Sequence, residues 1–129
     1  MTVKIASVTF DCADALTVGR FWSAALGRPL DPKASSDFAT IGFTARRNSV
    51  GWAPVKRDDD PTWMFAKVPE PKTAKNRMHL DLMTPDPEAE IARLVELGAT
   101  RVADMEAYGY RWTVMADPEG NEFCVARAR

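Results

Sequence analysis

Polar and apolar residues alternate strictly over Ser7-Val8-Thr9-Phe10-Asp11-Cys12, the period-two pattern of a strand with one buried face. Val8, Phe10 and Cys12 share one side; Ser7, Thr9 and Asp11 share the other. The period then changes. Asp14 stands in the N-cap position of a helix predicted over about 15–26, with Ala15, Val18, Trp22, Ala25 and Leu26 on one face. Gly27 supplies the stop, because a left-handed C-cap favours a residue without Cβ.

The same order returns in the second half of the chain. His79-Leu80-Asp81-Leu82 alternates, with Leu80 and Leu82 on one side and His79 and Asp81 on the other. Asp86 caps, Pro87 takes the first helical position, and Glu88 and Glu90 complement the positive end of the helix. Ile91, Leu94 and Val95 form the predicted buried stripe, and Gly98 ends it. Ser7 and His79 lie 72 residues apart, and Gly27 and Gly98 lie 71 apart, so one strand–helix–glycine unit occurs twice. The pattern reads as an internal duplication.

Strand-like segments follow each helix. In the first half they fall around Leu30 and over 38–43, with a further strand at either 49–55 or 62–68, a choice that local pattern leaves open. In the second half they fall at about 100–105, 110–116 and 122–127. Asp117-Pro118-Glu119-Gly120-Asn121 makes a tight connection between the last two. Pro69-Glu70-Pro71-Lys72 cannot continue a ladder of strand hydrogen bonds and begins a linker over about 69–75. The expected organisation is therefore one α+β domain over 1–129. A first βαβββ module occupies about 1–68 and a second about 76–129.

Composition narrows the function classes. The 129 residues are 46% hydrophobic and 27% charged, ordinary for a globular domain of this length. Seventeen Lys and Arg against eighteen Asp and Glu leave no net field to attract nucleic acid or an anionic membrane. No apolar run has membrane length, and the chain opens directly on strand-like Val3-Lys4-Ile5-Ala6. The expected location is the cytoplasm, with Cys12 and Cys124 reduced.

The duplicated unit, Phe21-Trp22-Ser23-Ala24-Ala25-Leu26-Gly27 and Asp117-Pro118-Glu119-Gly120-Asn121 together resemble the vicinal-oxygen-chelate superfamily. Its members include glyoxalases, bleomycin-resistance proteins and ring-cleaving dioxygenases. More narrowly, Val68-Pro69-Glu70-Pro71-Lys72, Lys75-Asn76-Arg77-Met78-His79-Leu80-Asp81-Leu82 and Asn121-Glu122-Phe123-Cys124-Val125 are similar to actinobacterial glyoxalase-like domain proteins. The resemblance covers essentially the whole chain. It implies two curved sheets with their helices outside, facing one another around a cavity, and a homodimer. It does not fix the chemistry, since one fold hosts many activities.

Metal-dependent members of that superfamily draw His, Glu or Gln ligands from the first and last strand of each module. Carried over, those positions fall at Ser7, within 49–55 or 62–68, at His79 and at Cys124. Neither alternative segment holds His, Asp or Glu, and the chain has one histidine. A hard divalent ion needs more oxygen and nitrogen donors than these. The expectation is no metal and no cofactor. A rearranged set of Asp11, Asp81 and His79 is the weaker metal-binding alternative.

The remaining candidates are assigned by face. His79 would act as a general base oriented by Asp81 or Asp11, because imidazole exchanges a proton near neutrality. Ser7, Thr9 and Cys124 would face the cavity. Trp52, Trp63, Tyr110 and Trp112 would supply aromatic walls suited to a flat or apolar ligand, and Tyr108 shares the parity of the last two. The expected function is small-molecule binding, of an organic ligand of aromatic or antibiotic-like kind. The alternative is an enzyme of lyase, isomerase or dioxygenase type.

Overall fold

A computed structural model describes residues 2–3, 5–43 and 61–128. The chain divides into two compact units, Met1–Pro71 and Lys72–Arg129. No helix among the described residues is long and apolar enough to cross a membrane.

In the first unit, β1 (Ser7–Cys12) leads into α1 (Ala15–Leu26), followed by β2 (Phe38–Ile41) and β3 (Thr62–Lys67). Asp14 caps α1 as predicted: its carboxylate accepts from the backbone N–H groups of Leu16 and Thr17 at 3.0 and 3.1 Å. The helix stops at Gly27, which is left-handed at φ 65°. The sheet runs in the order β1–β3–β2, with β1 and β3 parallel and β2 and β3 antiparallel. The segment around Leu30 makes a single antiparallel bridge to Ile41 rather than a full strand.

This pairing resolves the choice of closing strand for the first module. Residues 62–67 form it, in register from Ser7↔Thr62 to Cys12↔Lys67. The alternative at 49–55 lies outside the described residues. Opposite register partners point to the same face, so Val8 and Phe10 share their side with Trp63 and Phe65. That side meets α1. The Phe10 ring centroid lies 5.5 Å from that of Trp22 and 5.3 Å from that of Trp63, and the two indoles are 5.1 Å apart. Such a cluster buries large apolar area at favourable ring geometries and is the core of this unit. Gly19 lets the helix approach closely, since a Cβ there would sit 3.3 Å from Ala39 Cβ and from Leu30 Cδ2.

The second unit repeats the plan in full. It comprises β4 (Leu80–Thr84), α2 (Pro87–Leu97), β5 (Thr100–Ala107), β6 (Tyr110–Ala116) and β7 (Glu122–Arg127). The order β4–β7–β6–β5 again sets the first strand parallel to the last, with the rest antiparallel. Asp86 caps α2 by accepting from Ala89 N–H at 3.2 Å. Ile91 and Leu94 are buried, together with Met115, Phe123 and Val125. Val95, expected on the buried stripe, is 46% exposed, so the apolar seam of α2 is narrower than its spacing suggested.

Asp117-Pro118-Glu119-Gly120-Asn121 forms the connection predicted between the last strands. The buried Asp117 carboxylate accepts from Glu119 N–H, Asn121 N–H and Asn121 Nδ2 at 2.8, 2.9 and 3.1 Å. One side chain therefore closes the turn from inside.

Candidate functional site

β4 and β7 run side by side in the second unit, and their register places Asp81 directly opposite Cys124. His79 immediately precedes β4. Its Nε2 lies 3.5 Å from Asp81 Oδ1, with the imidazole and carboxylate 47% and 74% exposed. Nitrogen, oxygen and sulfur ligand atoms of His79, Asp81 and Cys124 all lie within 4.8 Å of one another. Burial, then the neighbouring Asp81 carboxylate, pushes the Cys124 thiol up, and Lys75 opposes this more weakly. Cys124 is therefore held as a protonated thiol, a poor nucleophile and a poor ligand.

The strand register defines what surrounds this trio. Asp81, Met83 and Cys124 point away from α2, as do Tyr110, Trp112 and Met105. Met83 is 63% exposed, Tyr110 53% and Met105 44%. The opposite, helix-side face carries Arg101, Arg111 and Arg127, each already engaged. Arg101 pairs with Glu88 and Asp104, Arg111 pairs with Glu106, and Arg127 donates to the carbonyl of Pro85. A groove of about 480 Å³ opens on that side, between the first turn of α2 and the strands β5 to β7. Paired charges ring it, and Met105 and Trp112 also border it.

Ser7, Thr9, Asp11 and Trp63, also expected at the site, belong to the first unit. Ser7 is half-buried on β1, while Thr9 and Asp11 are exposed on the β1 face turned away from Trp22. Trp63, expected as a pocket wall, is 6% exposed and packed against Phe10 and Trp22. Its strand had no fixed register in the sequence, and the parallel partnership with Val8 turns it under the helix. Trp52 lies outside the described residues. Tyr108, whose parity matched Tyr110 and Trp112, sits in the β5–β6 turn at φ 53° and is 97% exposed. Met83 was legible, two residues beyond Asp81 on an alternating strand. Met105 was not, because its alignment with Trp112 is set by the two-residue turn at Tyr108 and Gly109, which alternation does not announce.

The superfamily's metal positions can now be tested against the donors present. The closing strand of the first module reads Thr-Trp-Met-Phe-Ala-Lys over 62–67, with no imidazole or carboxylate. Ser7 and a protonated Cys124 stand at two further positions, leaving His79 as the one good donor of that set. These residues do not fit a chelate for a hard divalent ion.

A family model described as a glyoxalase-like domain matches residues 7–126, and the chain belongs to that family. Its architecture is the glyoxalase/bleomycin-resistance fold of the vicinal-oxygen-chelate superfamily. No curated protein matches it in sequence. Among solved structures, a glyoxalase/bleomycin resistance protein/dioxygenase family enzyme from Burkholderia phytofirmans PsJN superposes with a TM-score of 0.70 at 17% identity, covering 98% of this chain and 100% of that one. A glyoxalase-related enzyme from Fulvimarina pelagi gives 0.66 at 16%, covering 98% and 89%. A bleomycin-binding protein from Streptomyces verticillus gives 0.60 at 17%, covering 100% and 99%. At these identities the likeness establishes the fold alone.

Proposed function

We propose that the protein binds a small organic molecule on the face of the second sheet that bears Asp81 and Trp112, without a divalent ion as cofactor. The observation that carries this reading is the make-up of that face. An indole, two thioethers and a phenol share that face with one polar group of three, His79, Asp81 and Cys124. Ligand sites combine an apolar lining with a few convergent polar groups in this way. The neighbour from Streptomyces verticillus was solved with copper(II)-bleomycin bound, so this fold accommodates a large organic ligand. The reading extends to a homodimer acting in the cytoplasm, with neither nucleic acid nor membrane as partner. The near balance of 17 basic and 18 acidic residues supports the exclusion of nucleic acid.

A thermal-shift screen against bleomycin-type and other aromatic antibiotics and aldehyde–thiol adducts tests it. A ligand at about 100 times its Kd stabilises the folded state by ~2.7 kcal/mol, a readily measured rise in midpoint. Trp112→Ala is expected to abolish that rise while leaving the unliganded protein folded. A rise that survives Trp112→Ala would move the site elsewhere.

The 3.5 Å approach of His79 to Asp81 favours a second reading, a lyase or isomerase with this pair as general base. His79→Ala separates the two. Retained binding with lost turnover of the bound compound identifies the enzyme, whereas no turnover by the unsubstituted protein leaves the binding protein.

A further inference from the structure

Charge is distributed unevenly between the two faces of the second sheet. All three arginines on its strands point to the α2 side, where carboxylates or a carbonyl engage them. On the opposite face, Glu122 is held by Lys72 Nζ at 3.1 Å and by Asn76 N–H at 3.0 Å. Asp81 is different. Among the described residues its one ion-pair partner is His79, and its carboxylate is 74% exposed on the sheet face that also carries, one row further along the strands, Met83, Trp112 and Met105. This face presents a carboxylate beside an imidazole and a thiol.

We infer that the ligand of this face is a cationic aromatic molecule, whose ammonium or amidinium group pairs with Asp81 while its flat body lies on Trp112. The inference rests on the binding function proposed above and adds the ligand's charge class. Three observations carry it. The exposed carboxylate supplies the counter-charge, and Met83 and Trp112 on the same face supply apolar area, the strand arginines being engaged already. The Trp112 indole adds a π-face that attracts cations. Lys75 is the nearby opposing charge, and at the Cys124 sulfur its influence is smaller than that of Asp81. An anionic ligand would meet the Asp81 carboxylate, and the three arginines of the strands are already engaged, which leaves Lys75 and Arg77 of the segment ahead of β4 as the opposing cations.

Three probes sharing one ring system make the test: 9-aminoacridine as the cation, acridine as the neutral form and acridine-9-carboxylate as the anion. Binding is followed at pH 8 by fluorescence and by shift of the unfolding midpoint. An exposed ion pair and a cation–π contact together predict about threefold to tenfold tighter binding of the cation than of acridine, and weaker binding still of the carboxylate. The preference should shrink with added salt. Asp81→Asn, nearly isosteric, should bring the cation to within about twofold of acridine. Equal binding of all three probes would overturn the charge assignment and leave small-molecule binding standing. A cation preference that survives Asp81→Asn would overturn Asp81 as its source. Failure of every probe to bind would overturn both the inference and the binding reading beneath it.

Discussion

Glu122 shows how much a single side chain at the start of a strand organises. It receives Lys72 Nζ and Asn76 N–H, tying the segment ahead of β4 to the first residue of β7. Two influences act on its carboxyl. Burial, the larger single one, pushes it up, but the hydrogen bonds from Asn76, Lys72 and its own backbone N–H, with the Lys72 charge, together hold it below the ordinary value. A carboxyl depressed in the folded state binds its proton more tightly when unfolded. Its stabilisation is therefore complete above the unfolded value and disappears as pH falls through the folded one. Urea unfolding should show stability declining as pH drops through the carboxylate range. Glu122→Gln should cost about 1–2 kcal/mol at pH 7 and flatten that decline. A variant with an unchanged pH profile would assign the acid sensitivity to other groups. Of all this the sequence revealed only a lysine ahead of a strand and a glutamate 50 residues later. At this scale residues with a local signature, such as the caps Asp14 and Asp86, were legible, and partnerships across the fold were not.

At the scale of the element, the hairpin joining β5 to β6 is the clearest case of local chemistry working against its own sequence. Ala107 pairs with Tyr110, leaving Tyr108 and Gly109 as the two turn residues, both at positive φ (53° and 79°). That is the geometry of a type I′ turn, which favours Asn-Gly because a bulky residue at positive φ is strained. Alternation alone set Tyr108 in line with Tyr110 and Trp112, since nothing in Ala-Tyr-Gly-Tyr announces a turn at the tyrosine. Tyr108 is 97% exposed, so its replacement sacrifices almost no packing. Tyr108→Asn should raise unfolding stability by about 0.5 kcal/mol, through relief of strain at one residue. A loss of stability on urea unfolding would mean that the ring makes contacts the isolated chain does not show. The helices were easier to read than this turn, because cap, proline and stop glycine each leave a distinct residue at a fixed offset. Even so, the stripe of α2 extended in expectation to Val95, whereas only Ile91 and Leu94 are buried on it.

For the molecule as a whole, the duplication carried the fold. Two copies of strand–helix–glycine at near-constant spacing imply two sheets, each with its first strand beside its last, and both units have that order. The pairing partner of β1 was not legible. It lies 55 residues along the chain, and two apolar segments, each with a tryptophan, competed for the place. Its location bears on metal chemistry, because the segment that closes the first sheet supplies no imidazole or carboxylate. The proposed function therefore predicts indifference to chelators. A ligand found by thermal shift should raise the unfolding midpoint equally with and without excess EDTA. Elemental analysis of the purified protein should find divalent metal well below one ion per chain. The cluster of His79, Asp81 and Cys124 makes this a demanding test, since three donor atoms within 4.8 Å could gather around a thiophilic ion once the thiol lost its proton. Stoichiometric zinc that chelators remove with loss of ligand binding, and that Cys124→Ser prevents from rebinding, would overturn the metal-independent reading. Asp81 would then be a ligand to the ion rather than the counter-charge of a cationic guest.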